Sequence, residues 1–532
     1  MKKQKIIANK IHCREAIPSF NPQSSILNPI LILYITVIIV SLLLSVISIY
    51  HYPVFNPDGL RYFAAANAYV SQGFRAAFGP YNWPFYSILL VYLSKLSGLT
   101  LLESAYFLNI IFSLGIVLIF IEIIRLFTPS LKMLWLSALV ILICHQFNAN
   151  RYAVIRDQGY WFFYLLSVWF FIRYARDARW IHAIGWSFVL LISFLFRIEG
   201  AVFLLAIPWG VFMLPGLSWR KRWMLYFKLN IPLLIYLIVL LGALWHWHLY
   251  TIEHSSRLYE LYYKRPHAVL GTAANFSQRL AAIRQFVLAP EGSYDASAFL
   301  FFGAAGVFLW HLVCNYTLVF TFLTLYAIFY GLIVDRTVRS TLFNYFIINF
   351  ILLIFFYEQS LFLADRYVMG ISFILLFWVP FGLTDLYQRW RMRPRAYFSI
   401  HHVLFPLICV GLLSMAVSSI HRFGHSKIYQ YQASQWMKSH IPASASVCID
   451  DGVMAYLSNR STTPLDIKTP QGRFDIAKIQ RAPWRHCDYV SIIMDGEQKS
   501  LEQLLMTRMG TPTIVFQSGY HQAQVAIFKI NQ

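Results

Sequence analysis

The sequence predicts a polytopic α-helical membrane protein carrying a small α/β domain at its C-terminal end. Of its 532 residues, 58% are hydrophobic and only 13% charged, whereas soluble domains carry about 25% charged residues. Apolar runs of about 20 residues, enough to cross a bilayer core of roughly 30 Å, recur from Ile30 to Ile420. Beyond residue 425 these runs shrink to strand length and alternate with amphipathic stretches. A soluble all-helical protein would need polar stripes at helical spacing, and residues 30–49 have almost none.

The first run, 29–50, reads as a signal anchor. Its leading tail (1–28) and its apolar core are too long for a cleavable leader, and no small-residue cleavage site follows. The basic tail, with Lys2, Lys3, Lys5, Lys10 and Arg14, stays in the cytoplasm. The loop 51–103 is then extracytoplasmic. Further spans are expected at 104–127, 131–147, 159–174, 181–196, 200–214 and 226–248, followed by a long outer loop, 250–297. Residues 298–334 are apolar for 37 positions. Two crossings there would put Arg389, Arg391, Arg393 and Arg395 outside, against the positive-inside rule. One crossing at 313–334 is therefore expected, with 298–311 at the surface or re-entrant. Spans at 341–362, 367–386 and 398–420 bring the total to about eleven and leave 425–532 in the extracytoplasmic space. In that tail, 444–450, 487–495, 513–518 and 524–530 read as strands, and 428–440, 452–459 and 498–509 as helices.

A net charge of +21 invites a nucleic-acid reading, but the basic residues cluster in short loops between apolar runs, as in Trp219-Arg220-Lys221-Arg222-Trp223. That is the positive-inside pattern, with attraction to anionic membrane lipid added, and no nucleic-acid partner is expected. None of the six cysteines forms a CxxC pair, so neither a zinc site nor a redox motif is signalled. Cys448 and Cys487 adjoin two expected strands of an extracytoplasmic domain, where a disulfide between them can form. The first loop has no DxD or ExD pair, and the histidines lack ligand spacing, so no required metal or other cofactor is expected.

The first loop is the richest stretch for chemistry. Asn56-Pro57-Asp58-Gly59 holds one carboxylate directly after the first span. Pro57 presets the backbone and Gly59 relaxes it, so a surface helix is expected over 60–72, with Asp58 or Gly59 near its N-cap. The aromatic turn Tyr81-Asn82-Trp83-Pro84-Phe85-Tyr86 suits the membrane interface. Capping is the commonest work for an Asp after a turn. The loop as a whole favours a second reading, in which Asp58 is an acid/base at the water–lipid boundary. Asp157, Glu199, Glu358 and Asp365 stand at other expected outer helix ends, with Arg61, Arg156, Arg197 and Arg366 at the same level. Singly, each reads as structural. Together, charges at that depth are costly unless paired or useful. They form a minimal apparatus for a lipid-phosphate sugar donor. The arginines, with Tyr367, bind and stabilise the departing phosphate, and a carboxylate deprotonates the incoming hydroxyl.

Several stretches, in order along the chain, resemble the GT-C superfamily of membrane glycosyltransferases. They are the first-loop Asp58 followed by Trp83-Pro84-Phe85-Tyr86, Arg156-Asp157-Gln158-Gly159-Tyr160-Trp161, Phe196-Arg197-Ile198-Glu199-Gly200, Asp365-Arg366-Tyr367, and Ala433-Ser434-Gln435-Trp436-Met437 opening the tail. The protein O-mannosyltransferase-like and lipid A aminoarabinose transferase-like branch is the nearest. The resemblance implies Asp58 as catalytic base, Asp157 as a second acidic site residue, and a polyprenyl-phosphate sugar as donor. Asn82, Trp83, Glu199, Glu358 and Asp365 would then line the pocket. Aminoarabinose transferase-like members carry Lys-Pro-Pro in the first loop, where this chain has Asn82-Trp83-Pro84. The phosphate then falls to the arginines, and the donor sugar and the lipid, glycan or protein acceptor stay open. Two other readings compete. An O-antigen polymerase or ligase would use Arg257, Lys264, Arg265, Arg279 and Arg284 of the long outer loop. A transporter would place its charges at the membrane midplane and carry internal repeats, neither of which this sequence has.

Overall fold

The computed structural model describes residues 28–246, 265–392, 400–421, 427–469, 473–496, 498–519 and 523–530. The basic tail and part of the long loop after residue 246 lie outside these.

The bundle forms around helix Asp157–Asp177, which buries Trp161, Tyr164, Leu165, Val168, Phe171, Ile172 and Tyr174. A helix apolar on every side belongs in the centre of a bundle. Around it pack Leu101–Phe127, Trp180–Phe196, Arg336–Ser360 and Asp365–Leu376. Helix Leu101–Phe127 opens with a reciprocal cap, in which Thr100 Oγ1 accepts from the Glu103 amide and the Glu103 carboxylate accepts from the Thr100 amide. Helix Pro29–His51 presents little buried surface. It is tied in by Arg151, which donates to the Ser41 carbonyl and the Ser45 hydroxyl.

Among the described residues, six helices are long and apolar enough to cross a membrane, and the pair Asp365–Leu376 and Val379–Met392, bent by 48°, makes a seventh if it is one span. The expected fifth and sixth spans stand at nearly their expected bounds, as Trp180–Phe196 and as Glu199–Ala206 continued by the 3₁₀ turn Ile207–Met213, and the expected third stops early as Leu131–Leu142; all three are short apolar helices rather than full-length ones. The described residues thus hold six or seven full-length spans, with the other expected crossings as shorter apolar helices, and the number eleven is not confirmed. The 313–334 expectation is corrected outright. One helix runs Ala296–Tyr316 and a second Leu318–Phe329, with Thr317 between them at φ 75°. Polar side chains bind locally at the break. Asn315 donates to the His311 carbonyl and Thr317 Oγ1 accepts from the Phe320 amide. The two pieces follow the bent pair along its length. Phe308 packs with Val368 and Ile371, and the Tyr326 hydroxyl donates to Asp385 at 2.6 Å.

The loop 51–103 folds onto one end of the bundle as two short helices, Asp58–Gln72 and Phe85–Ser97. Trp83 pins it by donating from Nε1 to the Leu195 carbonyl at 2.6 Å, while Phe85 meets the Phe196 ring edge-on.

The C-terminal domain is a five-stranded sheet ordered β2-β1-β3-β5-β4, with β1 Val447–Ile449, β2 Thr462–Pro464, β3 Tyr489–Met494, β4 Ile514–Gln517 and β5 Gln524–Lys529. Strand β1 runs parallel to β2 and β3, and β5 antiparallel to β3 and β4. Alternation along β5 splits its side chains between two cores. Val525 and Ile527 pack on helix Ile428–His440, and Ala526 and Phe528 face Leu505 and Trp484. Strand β2 and helix Ile476–Gln480 were absent from the sequence reading. Cys448 and Cys487 are joined by a disulfide. The domain sits on the first loop, where Tyr456 stacks on Phe63 at 5.0 Å and meets Phe55 edge-on at 5.5 Å.

Candidate active site

Asp58 is the first residue of its helix, preceded by Pro57 in helical conformation, and no side-chain cap forms there. The carboxylate turns away from the helix end and accepts from Arg366 Nη1 at 2.6 Å. The helix begins at Asp58 rather than Leu60 because Pro57 already holds helical φ and ψ. Gly59 does not serve as a flexible joint. A Cβ there would lie 2.7 Å from the Phe55 ring and 3.2 Å from Val154 Cβ, so glycine is required by close approach.

Asp157 likewise opens its helix without capping it. Its carboxylate pairs with Arg197, and both side chains are buried. Arg197 grips Glu199 as well, with Nη2 at 2.7 Å and Nε at 3.2 Å. Its guanidinium also lies over the Tyr367 ring at 4.8 Å and the Tyr160 ring at 5.6 Å. Two carboxylates and two ring faces thus hold one cation. Arg156 is buried rather than at an exposed headgroup level. It lies over the Tyr81 ring at 5.3 Å, and its Nη1 has no hydrogen-bond partner. Arg366 Nε is buried and unpartnered too.

Beside these groups, and lined by some of them, lies a cleft of about 850 Å³ counted with the open solvent in its mouth. Arg197, Glu199, Arg366 and Tyr367 make its polar side, and Trp161, Leu352, Leu353, Phe355 and Phe356 its apolar wall. Gly370 lets the wall approach closely, since a Cβ there would come within 2.8 Å of Asn349 Oδ1. Asn349 is itself fixed by donating to the Tyr164 hydroxyl and the Tyr345 carbonyl. A cleft with a cationic side and an apolar wall suits an amphipathic anion.

The structure therefore brings Asp58 to Arg366, gathers Asp157, Arg197, Glu199 and Tyr367, and sets Arg156 over Tyr81. Trp83 is buried beneath the loop and half-buried Asn82 adjoins it. Arg61 points to solvent and enters no ion pair among the described residues. Glu358 and Asp365 are exposed outside the cluster, and the Glu358 carbonyl accepts from Arg279 Nη1 at 2.8 Å. In the long loop, Arg257 and Lys264 and the Arg265 side chain lie outside the described residues. Tyr81, Tyr160 and Asn349 were not assigned a role from sequence. Tyr160 stands inside the quoted Arg156–Trp161 motif, whereas Tyr81 and Asn349 carry no local signal. Among the described residues, the one grouping with metal-ligand geometry is Cys448, His486 and Cys487, whose two sulfurs are taken by the disulfide.

No protein-family model matches the chain, and no curated protein matches it. Among solved structures, it is similar to the archaeal oligosaccharyltransferase AglB from Archaeoglobus fulgidus in complex with an inhibitory peptide and a dolichol-phosphate. The identity is 12% over 89% of this chain and 70% of that one, with a TM-score of 0.47. It is also similar to ArnT from Cupriavidus metallidurans in the apo state, at 11% identity over 93% of this chain and 97% of that one, TM-score 0.47. The A. fulgidus oligosaccharyltransferase tethered to an acceptor peptide containing the NVT sequon follows at 12% identity, 89% and 70% coverage and TM-score 0.42. All three scores lie under 0.5, a likeness too loose to carry a function.

Proposed function

We propose that the chain is an integral membrane glycosyltransferase. It transfers a sugar from a polyprenyl-phosphate donor to a hydroxyl acceptor on the extracytoplasmic face, with the N-terminus cytoplasmic and the sheet domain outside. The observation that carries this reading is the Asp58–Arg366 pair beside the amphipathic cleft. The donor's lipid chain lies along Leu352, Leu353 and Phe356, and its phosphate meets Arg366. A phosphate competes with Asp58 for that guanidinium, so donor binding frees the carboxylate when a base is needed. Asp58 then takes the acceptor's proton, the acceptor oxygen bonds to the sugar's anomeric carbon from the face opposite the phosphate, and the C–O bond to phosphate breaks. The phosphate leaves with the electron pair, neutralised by Arg366 and by Arg156, and the configuration inverts. Arg197, already held by Asp157 and Glu199, orients the polar wall. No step needs a metal ion.

The test is sugar transfer from synthetic polyprenyl-phosphate sugars by the purified protein. Loss of a general base lowers turnover by about 10²–10⁴-fold. The Asp58→Asn variant is expected to show that loss with donor affinity retained. A wild-type rate from Asp58→Asn removes the base assignment.

A further inference from the structure

At the other end of the bundle, a second cleft of about 1150 Å³ opens to solvent. It is lined by Arg336, Arg339, Ser340, Phe343 and Phe346 from the first half of helix Arg336–Ser360, whereas Asn349, Leu352, Leu353, Phe355 and Phe356 from the second half line the first cleft. The two clefts use successive stretches of this helix, and at 1.5 Å per residue the arginines of the second stand roughly 15 Å or more along it from the stretch that lines the first. Its wall is apolar, built by Ile328, Ile333, Phe343, Phe346, Leu375 and Trp378. On its rim stand Arg336 and Arg339, both exposed and three positions apart on one helix, which places them on one face.

The carboxylates around this end are already engaged. Asp335 accepts from the Thr337 and Val338 amides and pairs with Arg176 at 2.6 Å. Asp385 pairs with Arg389 at 2.7 Å and accepts from Tyr326. Asp177 pairs with Arg179 and His182. No ion pair among the described residues includes Arg336 or Arg339. Two uncompensated guanidinium groups above an apolar cleft, at the end of a membrane bundle, are complementary to one ligand chemistry: a phosphate diester on an acyl chain. We infer that this cleft holds an anionic phospholipid, its phosphate between Arg336 and Arg339 and a chain along Phe343, Phe346 and Trp378. The site would anchor the bundle in the leaflet opposite the catalytic cleft. It does not depend on the proposed transferase activity.

The test uses the full chain, delipidated in detergent, reconstituted into phosphatidylcholine nanodiscs containing phosphatidylglycerol, and read by native mass spectrometry for retained phosphatidylglycerol. Each basic group near an anionic surface contributes about 1 kcal/mol, so removing two lowers retention about tenfold or more. Arg336→Ala with Arg339→Ala is expected to show that drop. The double lysine variant should retain most of the lipid, and Lys132→Ala, an exposed basic residue outside the cleft, should match wild type. Wild-type retention by the double alanine variant overturns the site, as does an equal drop from Lys132→Ala. Displacement of phosphatidylglycerol by inorganic phosphate at equal concentration would make this a free-anion site and overturn the lipid assignment.

Discussion

Two arginines that look alike in the sequence do different work. Arg197 is buried with Asp157 and Glu199, and removing one partner of a buried charge cluster costs about 3–5 kcal/mol. Arg366 pairs with Asp58, whose side chain is 36% exposed, and such pairs contribute about 0–1 kcal/mol. Arg197→Met is therefore expected to lower the unfolding midpoint sharply, and Arg366→Ala to leave it nearly unchanged while weakening donor binding. Denaturant unfolding in detergent beside donor titration separates them; equal stability losses would contradict this division. The Arg197–Glu199 pairing is a local one, since residues two apart at a helix boundary are neighbours in any fold. The Asp58–Arg366 bond joins positions 308 residues apart, and nothing local points to it. The N-cap reading of Asp58 failed for a related reason: a long-range cation attracts the carboxylate more than its own helix end does.

At the scale of elements, close approaches rather than propensities shape the site. The wall at Gly370 leaves no room for a methyl beside Asn349 Oδ1, and Asn349 is held from two sides. Overpacking of this kind costs typically 1–3 kcal/mol. Gly370→Ala should push Asn349 toward the cleft, destabilise by about that amount and raise the KM for donor more than it lowers kcat. An unchanged KM would show that the wall does not meet the donor. Helix Ile428–His440 matches its sequence expectation to the residue, because its amphipathic pattern and flanks are local. The apolar run 298–334 was expected to divide near residue 312, and it divides at Thr317; where such a run breaks, and which piece is long enough to cross, is decided by what it packs against.

For the whole molecule, the sheet domain and the first loop form one cap over the cleft's end of the bundle, joined through Tyr456, Phe63 and Phe55. The disulfide Cys448–Cys487 closes 39 residues of that domain, and such links contribute about 2–4 kcal/mol. Cys448→Ala is expected to lower the thermal midpoint of the sheet domain while the helical bundle melts as before. Amide hydrogen exchange resolves the two, and unchanged protection across β1 and β3 would rule out a stabilising role for the bond.

By itself the sequence determined the solvent each segment prefers. Apolar length, basic loops and the change in pattern near residue 425 sufficed for a helical membrane bundle followed by an α/β domain, because hydrophobic burial depends on composition and period. It also named the charged residues worth watching. The tertiary structure decided which of them meet. Arg61, Glu358 and Asp365 share the sequence signature of Arg366, Glu199 and Asp157 yet stand outside the cluster, since a helix end's chemistry depends on which neighbour it faces. In the function proposed above, the phosphate-binding role left open by the missing lysine is assigned to Arg366 and to Arg156, whose Nη1 has no hydrogen-bond partner. Both are brought to the first loop by packing that no local pattern encodes.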